Sequence, residues 1–192
     1  MKISLFPLNI VLLPNEEISL HIFEPRYKKL IGNCLDNNND FGIIFKNKSV
    51  KHNVGCTAKI IDVLYEYETG EYDIIVKGDK KFNLKNIHKE NDLWVGEVIV
   101  VNDILENTNK SLVKKVQNNY INILLNHKIT KDIDLELNRK ISYDFTKKII
   151  LPLNLKQMFL ELPNETQRLF FLDELFEKVI KTKATKDADD LN

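Results

Sequence analysis

No glycine-rich phosphate loop occurs in this sequence: its six glycines are scattered, and none sits in a GxxxxGK[ST] run. An excess of one charge is also missing, since 28 lysines and arginines balance 28 aspartates and glutamates. A chain that binds nucleic acid through phosphate contacts is usually basic, so the balance argues against that class. Only two cysteines are present, Cys34 and Cys56, without CxxC spacing, and they read as small buried thiols. The four histidines have no metal-ligand spacing; His52 and Cys56 flank a loop and a strand start rather than sharing a helix face. Ser111 precedes Lys114 and Lys115 on a solvated helix start, and Glu66, Glu68 and Glu71 surround an exposed turn that offers no desolvation. These absences predict no catalytic residue, no metal and no cofactor. No apolar run approaches the roughly 20 residues that span a bilayer. The apolar segment from Ile3 to Pro14 follows Lys2, but Pro7 and Asn9 interrupt it, and Asn15-Glu16-Glu17 stands where a signal peptide would carry small residues. The expectation is a cytoplasmic protein without a membrane partner.

What is present divides into two patterns. Ile18, Leu20 and Ile22 alternate with Ser19 and His21, a half-buried strand after the Pro14-Asn15 turn that ends Val11-Leu12-Leu13. Tyr27, Leu30, Ile31, Cys34 and Leu35 then recur at helical spacing. Pro25 suits the first turn of that helix, Glu24 faces its dipole, and Asp36-Asn37-Asn38-Asn39 ends it. Strands are predicted at Phe41 to Phe45, at Val54 to Tyr67 with Ile61, Val63, Tyr65 and Tyr67 on one face, and from Tyr72 to a break at Gly78-Asp79. A continuation past Phe82 and a last strand from Trp94 to Val101 follow, and Gly70 supplies the turn of the intervening hairpin. Tyr65, Tyr67 and Tyr72 could form a platform for bases, but glutamates rather than cations are interleaved with them, so cross-strand packing is the expected role.

Near Asn102 the period becomes helical, after a polar joint at Asn107-Thr108-Asn109. One helix is expected through Leu112, Val116, Tyr120 and Leu124, and a loop from Lys131 to Asp134. A second helix is expected through Leu137, Ile141, Phe145 and Ile149, ended by Pro152. Asn154 with Gln157, and Asn164 with Gln167, have capping-box spacing. The last helix carries Leu169, Leu172, Leu175, Phe176, Val179 and Ile180. The predicted fold class is α+β, an antiparallel curled sheet or barrel over residues 1–105 with one helix near 25–37, a helical bundle over 106–182 and a flexible tail over 183–192.

Several ordered motifs resemble the N-terminal, substrate-recognition domain of Lon-type ATP-dependent proteases. They are Phe6-Pro7-Leu8, Pro14-Asn15, Leu20-His21-Ile22-Phe23-Glu24-Pro25-Arg26-Tyr27, Phe41-Gly42 and Val54-Gly55-Cys56-Thr57-Ala58. Gly78 with Phe82 follows, with Lys81 where the family has arginine, and then Lys156-Gln157, Leu160-Glu161 and Arg168-Leu169. Asn15 stands where the family has glycine in the turn. The match runs from about Ile3 to Ile180 and is similar to the stand-alone bacterial members. It implies a PUA-like β-barrel followed by a helical bundle. In full-length Lon proteases the phosphate loop and the serine–lysine dyad belong to other domains.

The resemblance further implies recognition of substrate proteins at the loop-to-helix junction formed by Phe23, Glu24, Pro25, Arg26 and Tyr27. Arg26 would project from the helix edge towards a client. The structural alternative is that Tyr27 packs on the sheet and Arg26 pairs with a nearby carboxylate. The expected partners are unfolded or client polypeptides, bound by apolar contact in a groove between barrel and bundle, together with a Lon-type protease. The expected role is a non-enzymatic adaptor. The other reading is an RNA-binding PUA-like module, which the charge balance and the acidic hairpin oppose.

Overall fold

Seven residues at the start of the chain form β1 (Lys2–Leu8), and the alternating segment forms β2 (Glu17–Ile22). The structure, a computed structural model, describes residues 1–46, 51–101 and 108–189. Helix α1 (Pro25–Asn37) follows with Pro25 in its first turn, and it ends at Asn38 in the left-handed conformation (φ 51°), as an asparagine can. Then come β3 (Phe41–Lys46), β4 (Lys51–Glu66), β5 (Tyr72–Glu90) and β6 (Leu93–Val100). They make one six-stranded sheet in the order β2-β5-β4-β3-β1-β6, and β5 also pairs with β6. Helices follow the sheet, so the fold is mixed α+β.

The pairings are antiparallel except for β1 with β3, which is parallel and corrects the expectation of an antiparallel sheet. Parallel neighbours need a long crossover, and β2 with α1 supplies it. Helix α1 lays Tyr27, Leu30, Ile31 and Cys34 on a core that includes Phe6, Ile22, Phe41, Ile74 and Val76. Cys34 and Cys56 are buried free thiols.

Gly78 does not break β5, which runs on to Glu90. A Cβ at Gly78 would lie 2.1 Å from the Leu13 carbonyl oxygen, so glycine is needed for close backbone approach. The Pro14-Asn15 turn docks there: Asn15 donates its N–H to the Gly78 carbonyl and Gly78 donates to that of Glu16, both at 2.8 Å. Asn15 takes the left-handed conformation, so it serves where a glycine would. Val11, Leu12 and Leu13 are buried without joining a ladder. In β4, the register with β5 gains an extra residue between Ile60 and Asp62 and another between Val63 and Tyr65. These bulges at Ile61 and Leu64 shift the inward–outward alternation, so Ile61, Val63, Tyr65 and Tyr67 do not share one face.

The chain clusters into two units, Met1–Asn102 with Leu153–Glu161, and Asp103–Pro152 with Leu162–Asn192. The expected boundary at residues 105–106 and Asn107 of the expected joint lie outside the described residues, as do residues 47–50 of the polar loop and 190–192 of the tail. Helix α4 (Leu153–Glu161) belongs with the sheet, which interrupts the span expected to be one bundle. Gln157 explains the attachment: it is buried, and its side-chain amide donates to the Val54 carbonyl of β4 at 3.1 Å. Asn154 lies inside the first turn of α4, so it does not cap it.

The second unit holds α2 (Lys110–Asn126), α3 (Ile133–Glu136) and α5 (Glu165–Asp189). Asn109 and Asn164 accept from the N–H groups of Ser111 and Gln167, both at 2.9 Å, at the starts of α2 and α5. The expected loop at Lys131 to Asp134 holds as a turn at Lys131 and Asp132, but from Ile133 it gives way to α3, whose buried Glu136 accepts from the Tyr120 hydroxyl at 2.8 Å. The expected helix through Leu137 and Ile149 is instead a short 3-10 turn at Ser142–Thr146. Glu165 accepts both the backbone N–H and the hydroxyl of Ser142, each at 2.6 Å, and these bonds compete with a continuous helix. The backbone of α5 continues through Asp189, where the sequence predicts a tail from residue 183.

Candidate functional site

Three strands line up one outward residue each at the hairpin end of the sheet. His21 of β2 pairs in register with Asp73 of β5, and Asp73 pairs with Tyr65 of β4. Phe23 follows β2 two residues after His21, and Tyr67 follows Tyr65 at the same spacing, so the period of two keeps each pair on one side. The result is a continuous aromatic surface. Phe23 stacks on His21 with ring centroids 5.9 Å apart, His21 meets the edge of Tyr67 at 6.0 Å, and Tyr67 meets Tyr65 at 4.6 Å. Phe23 is 60% exposed and Tyr65 58%, large values for apolar rings.

Asp73 organises the surface. One carboxylate oxygen lies 2.7 Å from Nδ1 of His21, and the other accepts the Tyr67 hydroxyl at 2.7 Å. The Tyr67 bond, and then that of His21, hold the Asp73 carboxyl below its ordinary value. The same bond to Asp73 raises the Tyr67 phenol. Lys28, near the start of α1, donates to the Thr69 carbonyl at 2.8 Å and pairs with Glu71, which ties the β4–β5 turn to the helix beside Phe23.

The five predicted residues separate in the structure. Phe23 lies on the aromatic surface and Pro25 is exposed. Glu24 and Arg26 are half-buried and bind each other: Nε and Nη2 of Arg26 donate to one Glu24 oxygen at 3.0 and 2.6 Å. The guanidinium also lies 4.6 Å above the Tyr27 ring, so Arg26 folds back on its own helix start rather than projecting away from it. Tyr27 is a core residue, its ring centroid 3.9 Å from that of Phe6, and burial raises its phenol. His21, Tyr67 and Asp73 complete the surface. The sequence signal that could have found them is the paired outward spacing His21/Phe23 and Tyr65/Tyr67. Tyr72 points elsewhere and packs against the core.

The other groups weighed for chemistry are occupied by structural contacts. Lys115 binds Asp173 and Glu177 at 2.6 and 2.8 Å, which raises its ammonium and engages it with the α5 carboxylates. His52 pairs with Glu161 at 3.1 Å and packs on Phe45, while Cys56 is buried. A cleft of about 770 Å³ in the first unit is lined in part by Cys34, Asp40, Lys59, Asp79 and Lys80. Burial, with a smaller contribution from Asp40, pushes the Cys34 thiol up to about 11, so its sulfur is protonated and weakly nucleophilic at neutral pH. Burial and then Asp79 raise the Asp40 carboxyl. Among the described residues, no group of three or more His, Cys, Asp or Glu side chains is placed to hold a metal, and no helix is long and apolar enough to cross a membrane.

Comparison with known proteins agrees with this architecture. The chain is 23% identical over 197 residues to a Lon protease of Buchnera aphidicola subsp. Acyrthosiphon pisum (strain APS), covering 94% of this chain and 25% of that protein. It therefore spans about a quarter of the length of that relative. A crystal structure of a Lon N-terminal domain protein from Xanthomonas campestris superposes with a TM-score of 0.69 at 21% identity, covering 90% of this chain and 96% of that one. The N-terminal domain of the Mycobacterium avium complex Lon protease gives a TM-score of 0.77 at 16% identity, covering 92% and 98%. The family model for the ATP-dependent protease La (LON) substrate-binding domain, the non-catalytic part of Lon, matches residues 2–177, and the chain belongs to that family.

Proposed function

We propose that this chain is a non-enzymatic module that binds unfolded polypeptide through the aromatic surface of Phe23, His21, Tyr67 and Tyr65. The observation that carries the reading is the exposure of these contiguous rings on a polar lattice anchored by Asp73. Rings held in place lose little freedom on binding, so more of their apolar contact appears as affinity. Glu24, Pro25 and Arg26 form the polar rim beside Phe23, and Tyr27 positions the loop from the core. Family membership supports polypeptide as the ligand class. The module acts as an adaptor in the cytoplasm, alongside a Lon-type protease. Its sheet is a PUA-like barrel, a reading supported by β6 pairing with both β1 and β5 so that the strand order returns on itself. Asp73 bonds to two of the rings, and Glu66 and Glu68 flank Tyr67 along the chain; these carboxylates oppose phosphate, which favours polypeptide over RNA.

The test is binding of a labelled, chemically denatured protein by fluorescence anisotropy, with single-stranded RNA as the competing ligand. Burying a large apolar side chain is worth about 1.5–3 kcal/mol, so Phe23→Ala or Tyr65→Ala should weaken binding by about tenfold. Thermal melting should change little. Binding of RNA in preference to the denatured protein, or unchanged affinity in both variants, overturns the reading.

A further inference from the structure

Half of β4 has only one neighbour. Its pairing with β3 ends at Ala58 against Phe41, whereas its pairing with β5 continues to Glu66 against Tyr72. From Lys59 to Glu66, among the described residues, β4 is paired with β5 alone. Every residue from Ile61 to Glu66 is exposed, including the apolar Ile61, Val63 and Leu64, with Leu64 at 54%. The free edge covers about 26 Å, taking a rise of about 3.3 Å per residue. Unpaired backbone donors and acceptors along such an edge form a template for another strand. Tyr65 belongs both to this edge and to the aromatic surface, so one segment could reach the two.

We propose that the β4 edge from Lys59 to Glu66 receives an extended segment of client polypeptide as an added strand. The proposal rests on the polypeptide-binding reading and deepens it by naming how the client is held: its backbone pairs with β4 while its side chains meet Leu64, Tyr65 and the aromatic surface. Backbone pairing does not depend on sequence, which suits a module that takes unrelated clients. Charge narrows the choice. Along residues 59–68, Asp62, Glu66 and Glu68 outnumber the one cation, Lys59, and Lys77 across from it is paired with Glu17, so apolar segments carrying lysine or arginine are favoured.

The same charges disfavour a second copy of this chain, because two acidic edges would be brought together. The bulges at Ile61 and Leu64 act in the same direction. They twist the edge, and an unfolded segment can follow the twist where the stiff edge of a folded copy cannot.

The experiment uses the whole chain and a fluorescein-labelled peptide that alternates valine and lysine. A matched peptide carries N-methyl groups on alternate residues, so one edge loses its backbone donors while every side chain remains. Methylation of the pairing edge should weaken binding at least tenfold, and exchanging lysine for glutamate should also weaken it. Binding of the parent peptide should slow hydrogen exchange of the Lys59–Glu66 amides. If methylation weakens binding on neither edge while Phe23→Ala and Tyr65→Ala still weaken it, strand addition is wrong and the aromatic surface stands. If neither methylation nor the variants matter, both readings fall. Amides from Lys59 to Glu66 that exchange equally fast with and without peptide overturn strand addition, and their protection in a peptide-free dimer overturns the choice of occupant.

Discussion

Two arginines in this protein each bind a glutamate and lie over a tyrosine ring, in opposite surroundings. Arg26 in the first unit binds Glu24 and lies 4.6 Å above the Tyr27 ring. Arg168 in the second binds Glu165 and lies 4.5 Å above the Tyr143 ring. The difference is water. The Arg26 and Glu24 side chains are 37% and 41% exposed, whereas those of Arg168 and Glu165 are 0% and 2%. Exposed ion pairs are screened and contribute little, so the first pair orders a loop without holding the fold. The buried pair is different. Glu165 also accepts from Ser142, and Arg168 donates to the Ser142 hydroxyl at 3.0 Å, so removing one partner strands the rest of the network. The same contacts leave one residue open to substitution for function and commit the other to structure.

The largest effect should come from the buried side of this comparison. Arg168→Ala leaves the Glu165 carboxylate uncompensated and should cost about 3–5 kcal/mol, read from urea unfolding. Replacing the pair together, with Arg168→Met and Glu165→Leu, should recover much of that loss, because a buried pair can often be exchanged for apolar groups of similar volume. Additive costs in the double variant would break the network argument.

Arg26→Ala should stay within about 0.5 kcal/mol of the parent, as exposed substitutions usually do. It should weaken client binding less than Phe23→Ala, because it removes a rim group. A sharp fall in melting temperature for Arg26→Ala would erase the distinction between the two arginines.

The smallest effect is expected at Asp73, where the bonds from Tyr67 and His21 lower the carboxyl pKa. A carboxyl lowered in the folded state favours folding above its unfolded-state pKa, and that contribution disappears as pH falls through the folded value. Titration followed by the NMR signals of the Tyr67 ring should therefore show the lattice intact at neutral pH and released only in acid, below the usual aspartate range near 3.8. Asp73→Asn should remove that acid transition. If the transition persists, another group governs the rings.

Much of the fold follows local rules that act within a few residues. The helix beginning at Pro25 and ending at Asn38 is set by a ring that fixes φ and an amide that tolerates the left-handed region. Alternation in β2 and the Gly70 turn are equally local. At Gly78 the sequence is ambiguous, because a glycine that breaks a strand and one that admits a passing backbone look alike along the chain. Only the approach of Leu13 separates them. The 3-10 turn at Ser142–Thr146 depends on Glu165, 23 residues away.

The candidate site divides in the same way. Phe23 to Tyr27 could be singled out by their motif, and the helical stripe points Tyr27 towards the sheet, but the sequence could not separate it from an exposed Phe23. That division follows from Phe6 lying under the Tyr27 ring. The aromatic surface needs β2, β5 and β4 in register, and the open β4 edge exists because β3 stops opposite Ala58. By itself the sequence determined most of the element types and turns, since propensity and periodicity act along the chain, and its ordered motifs carried the family resemblance. Register, strand ends and the surroundings of each charge were decided by the tertiary structure, because they depend on partners that the chain meets only on folding.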